Sequence, residues 1–206
     1  CVSCKACKSE CPSNVDIARF KAEFLQQHYD VCGMPMKAYL IARLTEIQRL
    51  GSIFPWLYNA VVRNRVTGGI LKRILHFAPE RAIPTLYKTT LKHWLGRYRW
   101  KNKGTTVGKV FLFADEFTNY MDVEIGIKMI KLLDRLGYEV CIPKHVESGR
   151  TAISKGMLKV AKKVARKNVL LLKDAVSERI PLVGIEPSCI LSFRDEYPDL
   201  VGDDLK

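Results

Sequence analysis

The chain has 206 residues, 48% hydrophobic and 27% charged, which excludes disordered, collagen-like and coiled-coil classes and allows one ordinary domain with a smaller companion. Its net charge of +13 is uneven: residues 1–100 hold 16 Lys/Arg against 6 Asp/Glu, and residues 101–206 hold 18 against 15. A field of this sign attracts nucleic acid, anionic lipid or acidic protein without choosing among them, and the longest mostly apolar stretch, Ser52 to Val62, falls short of the ~20 residues that span a bilayer.

Four of the seven cysteines fall within the first eleven residues, as Cys1-x2-Cys4-x2-Cys7-x3-Cys11-Pro12. This is the ligand spacing of bacterial two-cluster ferredoxins. Two intervening residues let successive thiolates wrap three corners of an iron–sulfide cube, and the loop amides can hydrogen-bond to the sulfurs. The spacing predicts Cys1, Cys4 and Cys7 on one [4Fe–4S] cluster and Cys11 on another, with the missing ligand upstream. Structural zinc is the rival, but its sites use two well-separated pairs of ligands. Tight clustering also points to a reducing compartment rather than to disulfides. With no initiator Met and no signal-like leader, the start at Cys1 reads as a cut.

Apolar residues at Ile17, Phe20, Phe24 and Leu25 predict a helix that ends near Gly33 and Pro35, and a second is expected from Met36 to Leu50. Residues 1–52 thus read as a cluster-bearing helical region. Residues 53–107 form a basic, aromatic connector in which Pro55, Gly68-Gly69, Pro79 and Pro84 are expected to break short helices. Its Trp, Tyr and Arg residues fit either an interface, with another domain or a membrane surface, or small local cores. Cys32 and Cys141 read as small buried hydrophobes.

From Gly108 the period changes. A strand over Lys109–Ala114, a helix over Asp122–Leu136, a strand within Gly137–Pro143, a basic helix over Ser154–Lys173, a strand over Ile180–Ile185 and a helix opened by Pro187 predict a parallel sheet with helical crossovers. Ligands of such sheets bind beyond the carboxyl ends of the strands. Those ends carry Asp115 and Glu116, then His145, Glu147, Ser148, Gly149 and Arg150, then Glu186, Ser188 and Cys189. Asp115, His145, Glu147 and Cys189 form a candidate second metal site, while polar loops and helix caps account for the same residues without a ligand.

The segment Cys1–Asp16, with Leu136-Gly-Tyr-Glu-Val140, the Gly149-Arg150 turn, Ile185-Glu-Pro-Ser-Cys-Ile190 and Phe193-Arg-Asp-Glu-Tyr-Pro198, resembles FAD-linked oxidases with a fused iron–sulfur region, similar to D-lactate, D-2-hydroxyglutarate and glycolate dehydrogenases, and the iron–sulfur subunit of anaerobic glycerol-3-phosphate dehydrogenase. The resemblance implies an α+β multidomain fragment: an α-helical ferredoxin-like region, the connector, and over residues 108–206 the first part of a Rossmann-like, cysteine-rich-type α/β domain. FAD and the substrate site would lie in an N-terminal part outside this chain. Such domains usually carry Cys-Cys-Gly after the second strand and a cysteine after the first; here Glu147-Ser148-Gly149 and Asp115 stand there, and Cys189 alone is kept.

The expected function is an electron relay that takes electrons from FAD in an upstream domain or flavoprotein subunit and passes them singly to a quinone or a redox protein. A cytoplasmic location with peripheral contact at the inner face of a membrane is expected. One alternative is a heterodisulfide-reductase-like iron–sulfur subunit. The other, a nucleic-acid-binding iron–sulfur protein, lacks any helix-turn-helix, RNA-binding aromatic motif or zinc-finger spacing.

Overall fold

The computed structural model describes residues 6–100 and 106–205. A short helix α1 (Ala6–Glu10) precedes α2 (Ile17–Cys32), whose first turn is capped by Asp16 accepting the Arg19 N–H at 3.0 Å. Gly33, at φ +81°, ends α2. The second expected helix is two, α3 (Met36–Ala42) and α4 (Leu44–Gly51), because Arg43 leaves helical geometry at φ −102°, ψ 26°.

The connector opens with α5 (Pro55–Arg63) and α6 (Arg65–Ile74). Pro55 starts α5 rather than breaking it, since the first helical position needs no N–H donor. Gly68 and Gly69 also lie inside a helix, contrary to expectation. A Cβ on Gly68 would sit 2.6 Å from the Val62 carbonyl, so its bare Cα is what lets α6 cross α5 closely. Gly68→Ala is expected to destabilise this hairpin by about 1–3 kcal/mol, read from urea unfolding.

After a strap that includes α7 (Leu91–Leu95), the α/β part follows as β1 (Gly108–Phe113), α8 (Glu116–Tyr120), α9 (Val123–Arg135), β2 (Tyr138–Cys141), α10 (Arg150–Ser154), α11 (Leu158–Leu172), β3 (Leu182–Gly184), α12 (Pro187–Ile190), α13 (Ser192–Asp195), α14 (Tyr197–Leu200) and a 3-10 turn at Asp203–Leu205. The sheet is parallel in the order β2-β1-β3, with Val110 opposite Val140 and Phe113 opposite Gly184. The basic helix expected from Ser154 begins instead at Leu158, because Gly156 at φ +73° turns the chain between the short helix α10 and α11.

β1 is the most apolar strand and occupies the centre, where Leu112 and Phe113 are fully buried. Leu91 of the strap joins Val110, Leu112, Val123, Ile130 and Val140 in the main core. Gly126 on α9 makes room for it, since a Cβ there would lie 2.5 Å from a Leu91 methyl. The connector's aromatics divide. Trp94, Tyr98 and Trp100 pack on this core, with Trp94 and Tyr98 rings 4.8 Å apart and the Tyr98 hydroxyl donating to Asp134 at 2.7 Å. Trp56 remains exposed.

The N-terminal helices pack directly on the α/β part. Met34 and Ala42 complete an apolar cluster with Ala152, Ile153, Met157 and Ala161. Leu25 meets Gly156 where a Cβ would not fit. Lys159 binds Asp30 at 2.8 Å and its N–H donates to Gln26 at 3.1 Å.

Candidate functional site

Cys1 and Cys4 lie outside the described residues. Cys7 sits on α1 and Cys11 follows it, the Cys11 N–H donating to the Cys7 carbonyl at 3.1 Å. The chain then curls through Ser13 and Asn14, the latter at φ +54°, before Asp16 caps α2. The Asn14 N–H donates to the Cys11 carbonyl at 2.9 Å, and the backbone N–H groups of Val15 and Ser13 lower the Cys11 thiol from its ordinary value. A lowered thiol favours thiolate, the form that ligates iron. The donor chemistry at Cys11 therefore fits a [4Fe–4S] cluster. Cys32, expected to be buried, is exposed: it is the last residue of α2.

At the carboxyl ends of the strands the expected donors are not gathered into one metal site. Among the described residues no three His, Cys, Asp or Glu side chains converge to hold an ion. Asp115 is spent as a helix cap. It accepts from the N–H groups of Phe117 and Thr118 at 2.9 and 3.0 Å and from the Thr118 hydroxyl at 2.7 Å. The His145 ring lies on Phe113, centroids 4.4 Å apart, and its Nδ1 is 2.7 Å from the Val146 carbonyl, which assigns the proton to Nδ1. Burial and nearby Lys92 push its pKa down to about 4. Glu147 contributes its carbonyl, which accepts from Asn168 Nδ2 at 2.7 Å. Glu186 caps α12, its carboxylate accepting from the Ser188 hydroxyl at 2.7 Å.

Cys189 joins a different group. It is fully buried with its sulfur 3.3 Å from Ser148 Oγ. Ser148 also donates from Oγ and N to the two Glu116 oxygens at 2.7 and 3.0 Å, and its Oγ accepts the Arg150 N–H at 3.0 Å. If Glu116 is ionised, Ser148 donates to it and accepts from the Cys189 thiol; if Glu116 is neutral, it donates to Ser148, which donates onward to sulfur. Burial pushes Glu116 up, and burial with the Glu116 and Asp115 charges pushes Cys189 up, so the thiol is neither nucleophile nor ready ligand.

A second layer closes the site. The Tyr197 hydroxyl donates to the Ser148 carbonyl at 2.9 Å and accepts from buried Asn168 Nδ2 at 2.9 Å, while Asn168 Oδ1 takes the Val146 N–H at 2.9 Å. Glu116 and Ser148 were legible as strand-end residues. Asn168 and Tyr197 were not, and their only trace in sequence is a polar residue on the inner face of a basic helix and a Tyr before Pro198.

No family model matches the chain, and no solved structure matches it. Among curated proteins, the D-2-hydroxyglutarate dehydrogenase of Escherichia coli (strain K12) is 24% identical over 211 residues, covering 99% of this chain and 21% of that protein. A subunit of the anaerobic glycerol-3-phosphate dehydrogenase of the same organism is 25% identical over 197 residues, covering 95% of this chain and 49% of that protein. Lactate utilization protein A of Bacillus subtilis (strain 168) is 34% identical over 99 residues, 48% of this chain and 40% of that protein. The chain thus spans about a fifth of the length of the D-2-hydroxyglutarate dehydrogenases it matches and about half of the glycerol-3-phosphate dehydrogenase polypeptide. These matches bear out the resemblance to FAD-linked oxidases carried by the cysteine run and the later strand-end segments: over nearly its whole length the chain is similar to a segment of the D-2-hydroxyglutarate dehydrogenases.

Proposed function

We propose that this chain is the iron–sulfur electron-transfer segment of an FAD-dependent 2-hydroxy-acid dehydrogenase, passing electrons from flavin to a quinone or a redox protein. The observation that carries the reading is the Cys1-x2-Cys4-x2-Cys7-x3-Cys11-Pro12 run. In this reading residues 1–52 are the ferredoxin-like cluster region, residues 53–107 the connector, and residues 108–206 a Rossmann-like domain of cysteine-rich type. Cys1, Cys4, Cys7 and Cys11 would hold [4Fe–4S] iron, which supplies one-electron carriage when bound. Cys7 and Cys11 would supply two of the thiolates, the Val15 and Ser13 N–H groups favour the thiolate form of Cys11, and α2, α3 and α4 pack on the α/β part beside them. The Glu116–Ser148–Cys189 group closes its pocket by its own hydrogen bonds and holds the sheet ends together.

The test is anaerobic purification of the intact protein, with iron and sulfide analysis and absorption spectra before and after a D-2-hydroxy acid. Bound iron and sulfide, with visible absorption that bleaches on substrate addition, is the expected result. A colourless protein that binds zinc instead rules the reading out. The alignment to nearly all of this chain by a protein named as a subunit favours a second form of the same proposal, in which the flavin lies on a separate polypeptide. The mass and flavin content of the purified polypeptide separate the two forms.

A further inference from the structure

The α5–α6 hairpin is firmly held on its inner side and open on its outer one. Asn59 exchanges hydrogen bonds with Leu86, Nδ2 donating to the carbonyl and Oδ1 accepting the N–H, both at 2.8 Å. Gly68 sits buried against α5. On the outer side of α6, Val66, Ile70 and Ile74 form a row at intervals of one helical turn, and all three are exposed. Phe54 and Trp56 are exposed at the start of α5, Trp56 at 69%. A monomer in water rarely leaves such a row uncovered.

The charge around the row is of one sign. No Asp or Glu occurs between Ile47 and Pro79, a stretch that carries Arg49, Arg63, Arg65, Lys72 and Arg73. Arg63, Arg65, Lys72 and Arg73 line a single concavity with His76. On the helical wheel Arg73 falls beside Val66 and Arg65 beyond it, so the apolar row has an arginine margin on its own helix.

We propose that this hairpin docks the protein on an anionic lipid bilayer, the apolar row and Trp56 entering the acyl boundary while the basic concavity receives lipid phosphates. Among the described residues no helix is long and apolar enough to cross a membrane, and the contact proposed is that of a hairpin lying in the lipid interface. An acidic protein would answer the charge alone. The combination of an apolar row with arginines on its margin answers both halves of a lipid interface, since an arginine can bury its stem while its guanidinium group reaches outward. The proposal rests on the hairpin and not on the cluster ligands, so it stands or falls independently of the electron-transfer reading.

The test uses the intact protein and two vesicle preparations, phosphatidylcholine alone and phosphatidylcholine mixed with phosphatidylglycerol. Cosedimentation is expected to be at least about tenfold stronger with the anionic vesicles, since each basic residue near such a surface is worth roughly fivefold in partition. The paired charge reversals Arg63→Glu and Arg73→Glu, and separately Ile70→Ser with Ile74→Ser, should each remove at least about nine-tenths of the binding. All four side chains are exposed, and circular dichroism checks that the fold is kept. Tryptophan emission should shift to the blue on anionic vesicles and cease to shift in Trp56→Phe. Equal partition onto both preparations, or binding that ignores these substitutions, overturns the proposal. So does a dimer in solution that Ile70→Arg splits, which would assign the face to a second copy of the chain.

Discussion

Cys11→Ser is expected to lower cluster iron and to slow electron transfer from substrate to an artificial acceptor by more than about 100-fold. The reason is local and specific. A serine hydroxyl placed there would replace the soft thiolate that iron–sulfur sites select with a hard, weakly acidic oxygen. Cys7→Ser should act in the same direction, since Cys7 lies within hydrogen-bonded reach of the same turn. Cys32→Ser and Cys141→Ser serve as controls. Cys32 is exposed at the end of α2, and the Cys141 thiol donates to Glu139 at 3.3 Å on the sheet, away from the run. Iron content, visible absorption and acceptor reduction, measured on all four variants, decide the matter. Loss of iron in the controls, or its retention in both Cys7→Ser and Cys11→Ser, would refute the ligand assignment.

The second large effect is on acid stability. His145 is buried against Phe113 with Nδ1–H bound to a carbonyl, and its Nε2 has no hydrogen-bond partner. Adding a proton there would bury a second N–H without an acceptor, close to Lys92. The folded pKa of about 4 lies below the ordinary 6.5, so the unfolded chain binds this proton more readily. The stability contributed by neutral His145 is therefore present above pH 6.5 and lost as the pH falls toward 4, by roughly 3 kcal/mol in all. Asp115 and Glu116 have raised values, so their contribution runs the other way, present at low pH and lost as the pH rises. The variant His145→Phe separates the opposing effects. It keeps the ring contact with Phe113 and removes the titration. Urea unfolding at neutral pH and at about pH 5 should show the wild type losing more stability on acidification than the variant. An equal loss in both would mean that His145 takes up its proton without penalty.

Much of the fold was legible because its signals are local. The apolar run at Val110–Ala114, the helical spacing of Val123, Ile127 and Ile130, and Pro187 after a short strand each report their own element. The parallel order followed from strands alternating with helices. The break at Arg43 was not legible, since Leu40, Ile41, Leu44 and Ile47 keep helical spacing across it. Gly68 misled for a different reason. A glycine within a helix lowers propensity, and only its contact with Val62, on the preceding helix, reveals why it is there. The strand ends show the same limit. Asp115, His145, Glu147 and Cys189 have the chemistry of metal ligands, and their types and positions cannot reveal that Thr118, Val146, Asn168 and Ser148 already engage them. Those partners lie as far as 41 residues away, at distances that leave no period and no spacing.

Leu91 carries a practical lesson. Its side chain is the connector's stake in the main core, driven into the notch that Gly126 leaves open. Expressing residues 108–206 alone would pull that stake out and bare a greasy hole beside Val123. Shortened versions meant for crystals or for folding studies should begin ahead of Thr90, and a cut at the apparent seam near Val107 invites clumping rather than a tidy α/β fragment.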